Sequence, residues 1–358
     1  MVTLRQLLEE MIPKRASDLH ITAGVPPMYR VDGGVEPTVH EVMTPEGTAN
    51  LAYSVLSDEQ RKRFETTKEL DFSFGVKGLS RFRANVFLQR GVVSMVIRQI
   101  PYDITPMEKL GLPNVVKEFT MRQKGFVLVT GPTGSGKSTT LASMLDRINS
   151  TRQSHIITIE DPIEYVHMNK KCIVNQREVG SDTLGFKEAL KHVLRQDPDI
   201  ILVGEMRDLE TIEAALTIAE TGHLVFATLH TNSTYEAVNR IVDVFPHDQQ
   251  KQILTQLAFT LQGVITQQLI PRSQGKGRVM CAEVLVCTPA IKAVIREGKT
   301  HQIYSLMQAG QKYGMQTMNM ALLQAVLDKH LTPEHAMERT TDRTEFEGML
   351  GKVMRAAA

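Results

Sequence analysis

The run GPTGSGKST at residues 131–139 restricts this chain more than any other stretch. It fits G-x-x-x-x-G-K-[ST], a pattern that cradles phosphates only where an apolar strand precedes it and a helix follows. Both conditions hold, since FVLVT leads in and the helix-prone TTLASMLDRI leads out. Gly131, Gly134 and Gly136 let the backbone curl so that successive N–H groups face inward on phosphate oxygens. Pro132, Thr133, Ser135 and Thr139 complete the loop, and the helix behind it adds its positive end. Lys137 is expected to reach the β- and γ-phosphates, and the Ser138 hydroxyl to bind Mg²⁺. ATP with Mg²⁺ is the expected ligand.

Around this loop, buried strands alternate with helices, the signature of a parallel α/β sheet. Strands are expected at 126–130, 156–159, 200–203, 224–229 and 278–286. Helices are expected at 137–149, 185–195, 208–221, 234–243 and, as one long helix, 247–269. After Pro289 the pattern is helical only, at 290–297, 302–309, 317–329 and 333–338, with a polar tail. The first hundred residues have a different grain. A helical spacing at 3–12 is followed by short strand-like stretches at 19–22, 28–31, 70–74, 81–87 and 92–100. Helices at 45–67 lie on one face, and Asp-Gly and Pro punctuate the turns. The expected division is an α+β domain over 1–100, a proline-marked linker over 101–118, an α/β nucleotide-binding core over 119–289 and a helical region over 290–358.

Three further clusters lie where an open α/β sheet binds ligands, at strand carboxyl ends. The strand ending DIILVGEMRD places Glu205 as the acid that serves Mg²⁺, and the longer side chain of Glu favours contact through water. ITIEDPIEY offers Glu160, Asp161 and Glu164, one of which is the natural group to orient and deprotonate an attacking water. A solvated acidic loop is the alternative. In ETGHLVFATLHTNST, His230 follows a buried strand and is a candidate to sense a γ-phosphate, whereas His223 at the strand's start reads as structural; two polar residues satisfied at strand ends are the alternative.

With 41 basic and 40 acidic side chains the formal charge is +1, which argues against nucleic acid as the working partner, because phosphate neutralisation supplies most of such affinity. No apolar run reaches the roughly 18–20 residues of a membrane span, and the first residues lack a signal-peptide core. The 3 Cys, an odd number, point to reduced thiols in the cytoplasm.

Taken in order, the four motifs resemble the secretion ATPase superfamily and, within it, the retraction motors of type IV pili. The resemblance extends to ASDLHIT at 16–22, SRFRAN at 80–85, RQDPDIILVGEMRD at 195–208 and GKTHQIYSLMQAGQKYGMQTMN at 298–319. It implies a PAS-like N-terminal domain, a RecA-like P-loop ATPase domain with a C-terminal helical region, and a hexameric ring. The ring would act on an inner-membrane platform protein at the pilus base, from the cytoplasmic side. It also implies Glu164 as the catalytic acid, Glu205 as the Mg²⁺-serving acid, and Arg81 and Arg83 as cations that swing toward nucleotide. Arg195 and Arg240 are lesser candidates for contacts within or between subunits.

Assembly motors of that superfamily carry a four-cysteine zinc site. Cys172, Cys281 and Cys287 cannot form one, so no zinc is expected. The family's AIRNLIRE helix stands here as AIKAVIRE at 290–297, where Lys292 keeps the charge without the planar fork of Arg. Met307, Met315, Met318 and Met320 read as core rather than as a partner surface. A nucleic-acid translocase, a nucleotide-binding regulator and a zinc-free assembly motor are the competing readings.

Overall fold

In the computed structural model, which describes residues 2–357, the two strand patterns separate into a six-stranded and a seven-stranded sheet. The chain divides accordingly into two compact units, one reaching to Asp103 and including Glu164–Val166, the other formed by Ile104–Ile163 and His167 onward.

The first unit runs α1 (Leu4–Met11), β1 (Asp18–Ile21), β2 (Met28–Val31), β3 (Gly34–Pro37), α2 (Pro45–Tyr53), α3 (Asp58–Thr67), β4 (Glu69–Val76), β5 (Ser80–Gln89) and β6 (Val92–Ile100). Its sheet is antiparallel throughout, in the order β3-β2-β1-β6-β5-β4. The period of two in β5 buries Phe82, Ala84 and Val86 with Leu7, Leu8 and Met11 of α1. That leaves Arg81 and Arg83 together on the opposite face, as expected for i, i+2 on a strand. Capping boxes at Thr3 and Ser57 start α1 and α3.

The second unit begins with α4 (Val115–Phe119), β7 (Gly125–Thr130), α5 (Lys137–Thr151), β8 (His155–Glu160) and β9 (Ile173–Glu178). It continues through α6 (Phe186–Val193), β10 (Ile200–Val203), α7 (Leu209–Glu220), β11 (Leu224–Leu229), α8 (Thr234–Asp243) and α9 (His247–Thr260). Then come β12 (Leu261–Pro271), β13 (Arg278–Val286), α10 (Pro289–Arg296), α11 (Ile303–Ala309), α12 (Met318–Leu327), α13 (Pro333–Met337) and α14 (Arg343–Ala357). The sheet order is β13-β12-β7-β11-β10-β8-β9, with every pair parallel except β12 with β13. β7, β10 and β11 are buried along their whole length, as strands covered on both faces must be.

Two expectations are corrected. The long helix over 247–269 stops at Thr260, and the rest is β12, paired parallel to β7 and antiparallel to β13. Leu261 turns to extended backbone, and the branched Val264, Ile265 and Thr266 fill the buried centre of a strand that local helical spacing cannot reveal. The polar tail is also helical: α14 docks through Phe346, which is fully buried against Met318 and Leu322. Met307, Met315 and Met318 are core residues, as expected, and Met320 is half-buried.

Candidate functional site

Sheet order brings three of the four motifs to one edge. The phosphate loop leaves β7, His230 follows β11 and Gly204-Glu205 follows β10, and these strands are consecutive neighbours with parallel direction. The acidic loop leaves β8, which pairs with β10 on its other side.

Gly131 enters the loop at a φ of +135°, and a Cβ there would stand 2.4 Å from the Gln267 carbonyl oxygen and 2.7 Å from Ser135 Oγ. Only glycine fits such an approach. Gly136 caps α5 at a φ of 92° with no side-chain hydrogen bond, so the first N–H groups of the helix are not taken by a capping side chain. Ser135 Oγ is buried with no hydrogen-bond partner among the described residues. Lys137 Nζ donates to the Gly131 carbonyl at 2.8 Å and to the Pro132 carbonyl at 3.1 Å, curling over the loop. β12 braces the loop from beneath. Thr130 and Thr266 hydroxyls meet at 2.7 Å, and Gln267 Nε2 donates to Thr140 Oγ1 at 2.7 Å. The strand missed in the sequence is thus the floor of the phosphate loop.

Glu205 is fixed by its neighbours on both sides. Thr228 Oγ1 of β11 donates to the Gly204 carbonyl at 2.6 Å, and Met206 N donates to the Thr228 carbonyl at 3.2 Å. Across its carboxylate, Arg207 Nη2 donates to Oε2 at 2.8 Å while Nε stands 2.7 Å from Oε1. His230 Nε2 lies 3.1 Å from Oε1. The Arg207 hydrogen bond holds the Glu205 carboxyl below its usual range. Partial burial opposes the shift, and the charges of Arg207, His230 and Lys137 reinforce it. Arg207 was not among the sequence candidates, and its only signal was a place two residues after Glu205.

In the acidic loop the three carboxylates differ. Glu160 Oε1 accepts from Thr158 Oγ1 at 2.6 Å and from Gln176 Nε2 at 3.2 Å, so that side chain is engaged. Asp161 and Glu164 are exposed. Glu164 belongs to the first unit by its contacts, as do Arg81 and Arg83 of β5. Arg83 Nη2 lies 3.8 Å from Asp71 Oδ1, a weak exposed pair. Arg195 and Arg240 are exposed on the second unit. His223 Nδ1 meets the Thr221 hydroxyl at 3.1 Å and the Ile218 carbonyl at 3.2 Å, away from the strand ends that carry the other motifs. Burial pushes the Cys281 and Cys287 thiols up to about 12, so both are protonated. Among the described residues no helix is long and apolar enough to cross a membrane.

A family model described as type II/IV secretion system protein matches residues 1–338. The type IV pilus retraction ATPase PilT of Pseudomonas aeruginosa is 52% identical over 336 residues, which cover 94% of this chain and 97% of that protein. A twitching motility protein of Neisseria gonorrhoeae is 46% identical over 331 residues, covering 91% and 88%. The crystal structure of the pilus retraction motor PilT with bound ADP superposes with a TM-score of 0.91 at 52% identity, over 97% of this chain and 99% of that one.

Proposed function

This chain belongs to the type II/IV secretion system protein family, and from that membership and the sheet-edge geometry we propose how it works. It is an ATP-hydrolysing motor of the kind that retracts type IV pili. The observation that carries the chemistry is the row of phosphate loop, His230 and Glu205 at the ends of three hydrogen-bonded strands. Such a row presents backbone donors, a cation and an ionised acid to one polyphosphate.

The loop 131–139 wraps the phosphates, and Lys137 trades its carbonyl contacts for the β- and γ-phosphate oxygens. The half-buried Ser138 hydroxyl and the ionised Glu205 are hard oxygen donors, which fit Mg²⁺. Mg²⁺ held by these two residues would supply positive charge against the phosphates. Glu164 takes the proton of the attacking water, and its exposed side chain suits it better than the engaged Glu160. Arg81 and Arg83 supply positive charge to the transition state, and His230 reads the γ-phosphate through its contact with Glu205.

The working parts are the domains 1–100 and 119–289, with 101–118 as linker and 290–358 as helical region. Six copies pack head to tail, an arrangement that closes into a ring when the rotation permits. ATP binding and phosphate release close and reopen each subunit in turn. The ring pushes on a platform protein at the cytoplasmic face of the inner membrane. Nucleic acid takes no part.

Steady-state ATPase of the purified chain, with and without DNA, tests this. Turnover should ignore DNA and fall at least about 100-fold in Glu164→Gln, the scale of a lost general base. Strong DNA stimulation would instead mark a translocase, and an undiminished mutant would remove Glu164 from the chemistry.

A further inference from the structure

The Arg207 side chain is 77% exposed, yet it forks onto both oxygens of Glu205. An exposed arginine held in one geometry gives up the rotamer freedom of a long side chain, so an idle guanidinium gains little by this placement. Three nitrogens surround the carboxylate within 3.1 Å: Arg207 Nε and His230 Nε2 at Oε1, and Arg207 Nη2 at Oε2. Oε1 is therefore flanked twice and Oε2 once. A carboxylate offers about four acceptor positions over its two oxygens. The open side of Oε2 is where a further donor finds room.

We propose that Arg207 is a positioning residue for the Mg²⁺ site, clamping Glu205 so that one side of Oε2 accepts a water of the metal's shell. This rests on the reading of Glu205 as the acid that serves Mg²⁺. The clamp has two separable ingredients. The planar fork fixes the rotation of the carboxylate, and the positive charge offsets its negative charge. Lysine supplies the charge as a point and lacks the fork. If orientation is what matters, Arg207→Lys fails as Arg207→Ala does. Removal of an outer partner of this kind typically costs 10- to 100-fold in metal affinity.

The experiment titrates Mg²⁺ against binding of a fluorescent, non-hydrolysable ATP analogue to the full chain, with thermal melting to confirm folding. Half-saturating Mg²⁺ should rise about tenfold in both Arg207→Ala and Arg207→Lys. Analogue binding should return to the wild-type level at saturating Mg²⁺, which a merely damaged fold would not allow. A wild-type Mg²⁺ requirement in Arg207→Ala, or its full restoration by lysine, overturns the positioning role. Glu205→Gln separates the two claims. If it raises the Mg²⁺ requirement while Arg207→Ala does not, Arg207 alone is wrongly assigned. If it leaves the requirement unchanged, the reading of Glu205 falls as well.

Discussion

At the scale of single residues, one buried imidazole ties the stability of the second unit to pH. His167 is buried, and burial lowers it from 6.5 to about 4, with Asp146 opposing and Lys170 adding to the shift. Its Nδ1 has no hydrogen-bond partner among the described residues, so the fold selects the neutral ring. Between pH 6.5 and about pH 4 the unfolded chain binds the extra proton and the folded chain does not. The contribution is complete above pH 6.5 and is lost as pH falls toward about 4, by up to about 3 kcal/mol. Urea denaturation of the wild type should therefore weaken more on acidification from pH 7 to pH 4 than that of His167→Gln. Parallel pH curves would exclude His167 as the source. Arg207 and His167 were hidden in the sequence for one reason. Their importance comes from what surrounds them, and neither burial nor a hydrogen-bond partner is visible in residue order.

At the scale of elements, the second unit is tied together by a buried acid that has no cationic partner among the described residues. Glu283 of β13 accepts at Oε1 from Thr234 N at 2.7 Å and Thr234 Oγ1 at 2.9 Å, and at Oε2 from Met318 N at 3.2 Å. It thus joins the first turns of α8, which follows the His230 loop, and α12. Burial pushes its carboxyl up, and the hydrogen bonds from Thr234 and Met318 oppose that. Glu283→Ala strands three donors, each costing about 1–3 kcal/mol. The variant should lose about 3 kcal/mol or more in urea unfolding, and a loss under about 1 kcal/mol would show that the junction is dispensable. Elements whose motif and pattern agree were legible: the strand entering GPTGSGKST, the strand before Gly204-Glu205 and the strand before His230 all stand where the sequence put them. β12 was not, because its residues satisfy helical spacing locally and only pairing with β7 makes them a strand. Spacing alone left the choice among Glu160, Asp161 and Glu164 open, because the hydrogen bonds that Thr158 and Gln176 give Glu160 come from side chains whose approach residue order does not show.

For the whole molecule, the sheet-edge chemistry and the family membership together give ATP turnover a mechanical purpose. Lys137 is the residue through which that purpose is most easily cut. Its ammonium already sits on the phosphate loop, and no other side chain of the loop carries charge. The most direct measurement follows fluorescently labelled pili in cells deleted for this gene and complemented with wild-type or Lys137→Ala chain. Pili should withdraw with the wild type and remain extended with Lys137→Ala, at equal protein levels. Withdrawal that proceeds equally well with Lys137→Ala would contradict the account at its centre.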